Sequence, residues 1–411
     1  MKCRCKMPMV LFLVLALIVS LSLGCGGGGS GGGVTITIGE ITDLTGPASP
    51  AVATIHYALE DMARYYNEEG LIPGVKVHVV TWDTRYDPSR DVPGYFWVKE
   101  KGAELIVTVT PQDGLILKPF ADRDKVPVAA LGTDPGLLEP PGWVFCMSNS
   151  QGLEAKTLLK WIGDEVWDYG QGVVPKVGLV GWSEPTTEEL EKAIRAYCQG
   201  HSDRFKYAGT VLAPMGTMMW GAGQVDVLKE CDYILAMTQS GCSFIEQFLA
   251  RGYHATFIDA GAFSMMRSYV VNKLGYEVLD GTLSANSTPG WNDNTPIVNL
   301  AKGLLSKYRP GQANDIVDNG FAYVGGVHSL VATFQILEQA VREVGAEKFD
   351  GQAYYDAAVK FITGGSLYEG YPQWDFSATK RYLVNNSLIF KFSAEAKDLV
   401  RTTDWLPLVT D

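Results

Sequence analysis

The chain has 411 residues, with 34 Lys and Arg against 46 Asp and Glu, a formal net charge of −12. Residues 1–25 carry three basic and no acidic groups, which leaves 31 basic against 46 acidic groups beyond them, a net charge of −15. Such an acidic surface argues against nucleic acid, which is bound through basic patches, and the length exceeds what one hydrophobic core usually holds, so two domains are expected.

The N-terminus opens with Lys2, Arg4 and Lys6, followed by an uncharged apolar run over 9–23. That run is shorter than the roughly 20 residues of a membrane span. A basic start and a short apolar core describe an export signal. Its end, Leu21-Ser22-Leu23-Gly24-Cys25, resembles the lipobox of bacterial lipoproteins, in which the cysteine carries lipid and becomes the mature N-terminus. The departure from that pattern is Ser22, where leucine is usual. Residues 26–33 read GGGGSGGG, a flexible tether with an r.m.s. reach of about 15 Å. The tether contains a formal GxSxG match, which here is low complexity.

The body then alternates strands and helices. Strands are expected over 34–38, 75–82, 105–109 and 126–130, with helices over 51–67, 92–101 and 115–123. In the first helix Ile55, Leu59, Met62 and Tyr66 fall at helical spacing, and Gly70 stops it. The pattern restarts with a helix over 153–167 and a strand over 176–180. Strands over 207–212, 233–236 and 256–259 then alternate with helices over 187–198, 225–230 and 244–251. Late helices fall at 297–308, 323–344 and 352–362, and a last strand at 387–392. Alternation of this kind implies parallel sheets with helices on both faces. Ligands of such sheets sit outside the carboxyl ends of the strands. The loops there are 45–50, 110–114, 131–135, 181–186, 237–242 and 259–262.

The sequence has no GxxxxGK[ST] phosphate loop, no HExxH helix, and no GxGxxG after the first strand. The histidines, His56, His78, His201, His254 and His328, are scattered, and none adjoins a nucleophile. Cys146, Cys198, Cys231 and Cys242 lack the paired CxxC spacing of a zinc site. Buried free thiols are the first reading of them, and a Cys198–Cys231 disulfide is the alternative. No cofactor and no metal are expected.

Several segments, taken in order, resemble the type I periplasmic solute-binding proteins of the branched-chain amino-acid (leucine/isoleucine/valine) transporter family. They are Leu44-Thr45-Gly46-Pro47 with the helix ending Tyr66-Asn67, Trp82-Asp83-Thr84-Arg85-Tyr86-Asp87-Pro88, Phe145-Cys146-Met147-Ser148, Lys176-Val177-Gly178-Leu179-Val180 and Asp375-Phe376-Ser377. The resemblance covers nearly all of 34–411. It implies an α/β fold of two lobes, each a parallel sheet flanked by helices, joined by three crossovers. One lobe would be 34–147 plus 287–371 and the other 148–286 plus 372–411. Ligand would bind in the cleft, with the lobes closing on it.

By that resemblance the first lobe grips a ligand carboxylate through two loops, with Thr110, Gln112 and Asp113 in 110–114 and Leu131 and Thr133 in 131–135, and Ser49 in loop 45–50 is a further ligand-binding candidate. Helix N-termini there would supply unpaired N–H groups, although a carboxylate at Asp113 would repel an anion, and Thr133 with Asp134 could simply cap a turn. Trp182, Gln239 and Asp259 would face them from the closing lobe. Trp182, Phe263, Phe321 and Tyr323 are aromatic candidates for its walls, or for core. The family's ligand-facing tyrosine aligns with Ala51, its Tyr-Gly pair with Thr186-Thr187, and a further tyrosine with Gln239. Its ammonium-binding glutamate aligns near Gly261, with Asp259 the nearest carboxylate. The scaffold is thus retained while amino-acid recognition is altered.

The expected function is a lipid-anchored, extracytoplasmic binding protein of an ABC importer, not an enzyme, working with permease subunits and taking a small carboxylate, amino acid or related compound. One alternative is a sensor that passes occupancy to a membrane partner. A sensor would normally continue into a membrane span and signalling domain, and this sequence stops at Asp411. The other alternative is an amidase or hydrolase on the same scaffold, for which no activated nucleophile is visible.

Overall fold

The computed structural model of the protein describes residues 33–410. The expected export segment, the expected lipid site at Cys25 and residues 26–32 of the expected tether lie outside the described residues.

The first sheet is built from β1 (Val34–Thr42), β2 (Val75–Asp83), β3 (Ala103–Thr108), β4 (Val128–Ala130) and β5 (Val144–Cys146), in the order β2-β1-β3-β4-β5. All its pairings are parallel. β1 lies second in that order, and residues 36–42 are buried without interruption, as suits a strand covered on both faces. The helix Asp91–Glu100 approaches β1 so closely that a Cβ on Gly39 would sit 2.7 Å from that of Val98. The helix Ser49–Glu69 ends where Gly70 turns left-handed, with φ 61°. Its buried face, Ile55, Leu59, Met62 and Tyr66, packs on the helix Ala322–Val344, with Tyr66 and Phe334 ring centroids 4.6 Å apart.

The second sheet contains β6 (Lys176–Trp182), β7 (Lys206–Ala213), β8 (Tyr233–Ala236), β9 (Thr256–Asp259), β10 (Leu283–Asn286), β11 (Asn386–Ser393) and β12 (Asp398–Arg401). Its order is β12-β11-β10-β9-β8-β6-β7. β6 to β10 run parallel, whereas β11 is antiparallel to both β10 and β12. This sheet is therefore mixed rather than purely parallel. The chain enters β11 only after a last return from the first-sheet side, which reverses its direction.

The passages between the two sheets are sewn together by backbone bonds. Cys146 N–H donates to the Arg381 carbonyl at 2.8 Å, and Leu383 N–H to that of Cys146 at 2.9 Å. Ser387 Oγ donates to the Asn286 carbonyl at 3.2 Å. The Arg381 side chain is buried here. It donates to the Gly142 carbonyl at 2.8 Å, to the Tyr355 hydroxyl at 2.8 Å and to the Ser377 carbonyl, and lies over the Phe145 ring.

Cys146, Cys198, Cys231 and Cys242 are all buried free thiols, so the alternative Cys198–Cys231 bridge is absent. Burial pushes both of these thiols up to about 12, which makes them inert.

Arg381→Ala should cost about 3–5 kcal/mol, because it removes the guanidinium's bonds to two half-buried carbonyls and to the Tyr355 hydroxyl, each worth roughly 1–1.5 kcal/mol. Urea denaturation measures this, and a loss below about 1 kcal/mol would show that the guanidinium does not hold the crossing.

Candidate functional site

The loops at the carboxyl ends of the strands from both sheets face one another across a cavity of about 240 Å³. The first-sheet side supplies Pro47 and Ala48 after β1, Tyr86 after β2, Val109 to Pro111 after β3 and Leu131 to Thr133 after β4. Opposite stand Trp182 and Glu184 after β6, Met237 and Gln239 after β8, Gly261 after β9, and Asn286 to Thr288 after β10. Ser148, Asn149, Gln151 and Glu154 follow β5, and the helix Ala322–Val344 closes the floor with Ala322, Gly325, Gly326 and Ser329.

Of the residues expected from sequence, Thr110, Leu131, Thr133, Trp182, Gln239 and Phe321 line this cavity. Thr110 caps the helix Pro111–Asp124. Its hydroxyl oxygen accepts from Asp113 N–H at 3.3 Å. Thr133 Oγ1 is bonded to the Ser148 carbonyl at 3.0 Å, and Ser148 Oγ donates to the Leu131 carbonyl at 2.7 Å. That chain fixes the β4 loop against the first crossing. Trp182 Nε1 donates to the Thr217 carbonyl at 2.8 Å, which orients the indole wall. Phe321 packs edge-on to Phe390, with centroids 5.2 Å apart.

The other expected residues do not line it. Asp113 is the third residue of its helix and folds back to cap it, accepting from Thr110 N–H. Burial, with the charge of Asp91 nearby, pushes its carboxyl well above the usual range. Gln112 leaves a buried Nε2 without a partner, and Ser49 begins the helix behind the β1 loop. Asp259 is wholly buried and accepts from Ser284 Oγ at 2.7 Å. Burial pushes it up to about 6, against the pull of Ser284 and the amides of residues 261–263. It is turned away from any ligand in the cavity. Tyr323 is core: it donates to Asp61 at 2.8 Å and stacks on Trp291. Phe263 is also core.

Sequence reasoning missed Tyr86, Glu184, Asn286 and Glu154. Arg85 and Tyr86 both adopt left-handed backbone, with φ 57° and 55°, uncommon outside glycine. The Asp83 carboxylate holds this turn by accepting from the amides of Leu44 and Arg85 at 2.9 and 3.0 Å and from Thr45 Oγ1 at 2.6 Å. The turn aims Tyr86 across the cavity, where its hydroxyl donates to Glu184 Oε2 at 3.0 Å. Gln239 Nε2 donates to the Pro47 carbonyl at 3.2 Å. Both bonds join a loop of the first sheet to one of the second, so the two sides touch at these points. The signal for Tyr86 was the Asp-x-Arg-Tyr-Asp-Pro run itself. Glu154 had none, since an acid in a helix's first turn ordinarily serves the helix dipole.

The electrostatics are one-sided. Glu154 and Glu184 line the cavity, and among the described residues no Lys, Arg or His does. Burial pushes Glu154 well above the usual carboxylate range, the Ser287 hydroxyl and amide oppose that, and Asp259 and Glu189 add to it. Burial likewise raises Glu184. Behind them Glu189 accepts from Ser150 Oγ at 3.1 Å and Gly152 N–H at 2.9 Å. Among the described residues no His, Cys, Asp and Glu cluster is placed to hold a metal ion.

The sequence profile described as "periplasmic binding protein" matches residues 35–392. No curated protein matches the sequence. Solved structures with the same fold include a branched-chain amino-acid ABC transporter protein from Thermus thermophilus with bound valine. It is 17% identical, has a TM-score of 0.77, and the match covers 92% of this chain and 97% of that one. An ABC transporter solute-binding protein from Rhodopseudomonas palustris in complex with 3,4-dihydroxy benzoic acid is 16% identical, with a TM-score of 0.72 and coverage of 92% and 98%. A fatty acid ABC transporter substrate-binding protein from Thermomonospora curvata is 15% identical, with a TM-score of 0.73 and coverage of 91% and 92%.

The raised carboxyls predict a pH dependence. Glu189 is pushed by burial from 4.5 up to about 7, so the folded state binds its proton more tightly than the unfolded chain. Its contribution is therefore present at low pH and is lost as pH rises from about 4.5 through 7. His328, buried and lowered to about 4, acts in the opposite sense. Glu189→Gln should flatten the fall in thermal midpoint between about pH 5 and 8, read by circular dichroism. Parallel curves for variant and parent would refute the assignment.

Proposed function

The chain belongs to the periplasmic binding protein family, and from that premise we propose that it is the extracytoplasmic solute-binding protein of an ABC importer. It captures a small organic molecule between two lobes, 34–147 plus 287–371 and 148–286 plus 372–411, and releases it unchanged to permease subunits in the membrane. The observation that carries this reading is the cavity itself. It lies where the strand ends of both sheets converge, and Tyr86–Glu184 and Gln239–Pro47 bridge its two sides. Opening those two bonds would admit a ligand, and their reforming would enclose it. The solved proteins of the same fold, two of them holding valine or 3,4-dihydroxy benzoic acid and a third named for fatty acid transport, support a carboxylate, amino acid or related compound.

A thermal-shift screen of amino acids, aromatic and aliphatic carboxylates, fatty acids and amines tests the reading. A binder at 100 times its dissociation constant should add about 2.7 kcal/mol of stability. No shift with any class would contradict it.

Thr110 and Thr133 are proposed as the grip on a ligand carboxylate, with Thr133 exchanging the Ser148 carbonyl for the ligand as the acceptor of its one hydroxyl proton. A hydroxyl bond to a charged group contributes roughly 1.5–3 kcal/mol. Thr133→Val should therefore weaken a carboxylate-bearing ligand about 10- to 150-fold in calorimetric titration. A change within twofold would move the grip elsewhere. The lipid anchor is proposed from the sequence at Cys25. Cys25→Ala should abolish radiolabelled fatty-acid incorporation and release the protein from membranes, whereas a processed, membrane-bound variant would exclude it.

A further inference from the structure

We propose that Glu154 is the group that selects the ligand's charge, and that the ligand presents a protonated amine to it. This rests on the cavity being the capture site.

The wall around Gly261 is complementary to a cation. Its backbone is left-handed, with φ +89°, a conformation that L side chains rarely adopt. The wall of the cavity therefore lacks a side chain at this point. Around the position a Cβ would take stand three oxygens: Glu154 Oε2 at 3.3 Å, Asn286 Oδ1 at 3.4 Å and the Ala285 carbonyl at 3.6 Å. All three are acceptors once Glu154 is ionised against a cation. The Asn286 amide is fixed in this orientation, because Ser264 Oγ donates to its Oδ1 at 2.6 Å and its own Nδ2 donates to Ser284 Oγ at 3.0 Å. Glu154 is braced on its other oxygen. With its amide nitrogen facing acceptors, Asn149 donates to Glu154 Oε1 at 3.0 Å.

An ammonium group has three N–H donors and no acceptor, the complement of this cluster. A carboxylate placed here would face these three oxygens, in a wall that, among the described residues, contributes no Lys, Arg or His to offset its charge. Burial keeps Glu154 out of bulk water, so an unpaired charge on it is costly and a cationic partner relieves that cost. The hydroxyl of Thr110 and the β4 loop lie on the facing, first-sheet side. A ligand carrying an amine at one end and an acceptor at the other would satisfy both walls.

The test uses two series, each with one apolar body and different charged groups: leucine, isocaproate and isoamylamine, and phenylalanine, hydrocinnamate and phenethylamine. Binding to the parent protein and to Glu154→Gln is measured by calorimetry, with the thermal midpoint as the control for folding. The ammonium-bearing members of at least one series should bind the parent, and the matching acid should not. Glu154→Gln should weaken the amines about 10- to 150-fold without lowering the midpoint of the free protein. Should that variant fail to fold, the ranking of the series on the parent decides by itself. If an acid binds as well as its amino analogue, or if Glu154→Gln leaves the amines unchanged, the inference is wrong while capture in the cavity stands. The same holds if none of the six binds but a carboxylate from the wider screen does. If no compound of any class binds, both readings fall.

Discussion

The structure depends on the place where the chain passes between its two sheets. Cys146 and Leu383 exchange backbone bonds with their neighbours there, Asn286 is tied to Ser387, and Arg381 fills the space beside them with a guanidinium bonded to carbonyls and a phenol. Taking a cation out of water is expensive unless its donors find partners, and two carbonyls and a hydroxyl accept from its three nitrogens. Neither sheet could be placed relative to the other without these passages, and the cavity exists only because they set the two rows of strand ends face to face. The residues that line the site beside them, Ser148, Asn149, Asn286 and Ser287, belong to the same passages. Support and recognition thus share one stretch of backbone.

From that placement follows a division of labour between the walls. On the first-sheet side, the Thr110 hydroxyl caps its helix at the edge of the cavity and the β4 loop is held by the Thr133–Ser148–Leu131 chain. The opposite wall offers oxygens and two carboxylates. Between them lie apolar groups such as Val52, Ile55, Met265 and Phe321. A polarised cavity of this kind recognises direction as well as shape, because a ligand inserted the wrong way round would bury unmatched polar groups at both ends.

Much of the architecture was legible in the sequence because it is written in periodicity. The helix Ser49–Glu69 shows its buried face in Ile55, Leu59, Met62 and Tyr66, and the alternation of strands and helices gave the layered α/β design. β1 runs on to Thr42 past Glu40, a charge that looks like a strand end. In the fold Glu40 pairs with His56 at 2.6 Å and Thr81 at 2.9 Å, so it is buried with partners that no local pattern displays. β5 and β10, of three and four residues, are too short to show a period, and the reversal of β11 is a property of the chain's path. The site was legible to the level of loops but not of side chains. Loops 110–114 and 131–135 both reach the cavity, yet Asp113 turns back to cap its helix and Asp259 turns inward to Ser284. Glu154, five residues into the helix-and-crossing region after Asn149, enters the cavity only through tertiary geometry. Sequence identifies which strand ends could hold a ligand, whereas the direction of each side chain depends on capping bonds and on the crossing.

The central claim is that the ligand occupies this cavity. Gly325 lies on its floor within the helix Ala322–Val344, and a Cβ there would meet nothing closer than Thr288 Oγ1 at 3.4 Å. Leucine at this position fills the space and, in a helix, replaces a poor former with a good one, a gain of roughly 1 kcal/mol of propensity. The most direct measurement is the calorimetric dissociation constant of Gly325→Leu for whichever compound binds the parent. The account predicts that binding is lost while the thermal midpoint holds or rises. Parent-like affinity in a folded Gly325→Leu protein would place the ligand somewhere else.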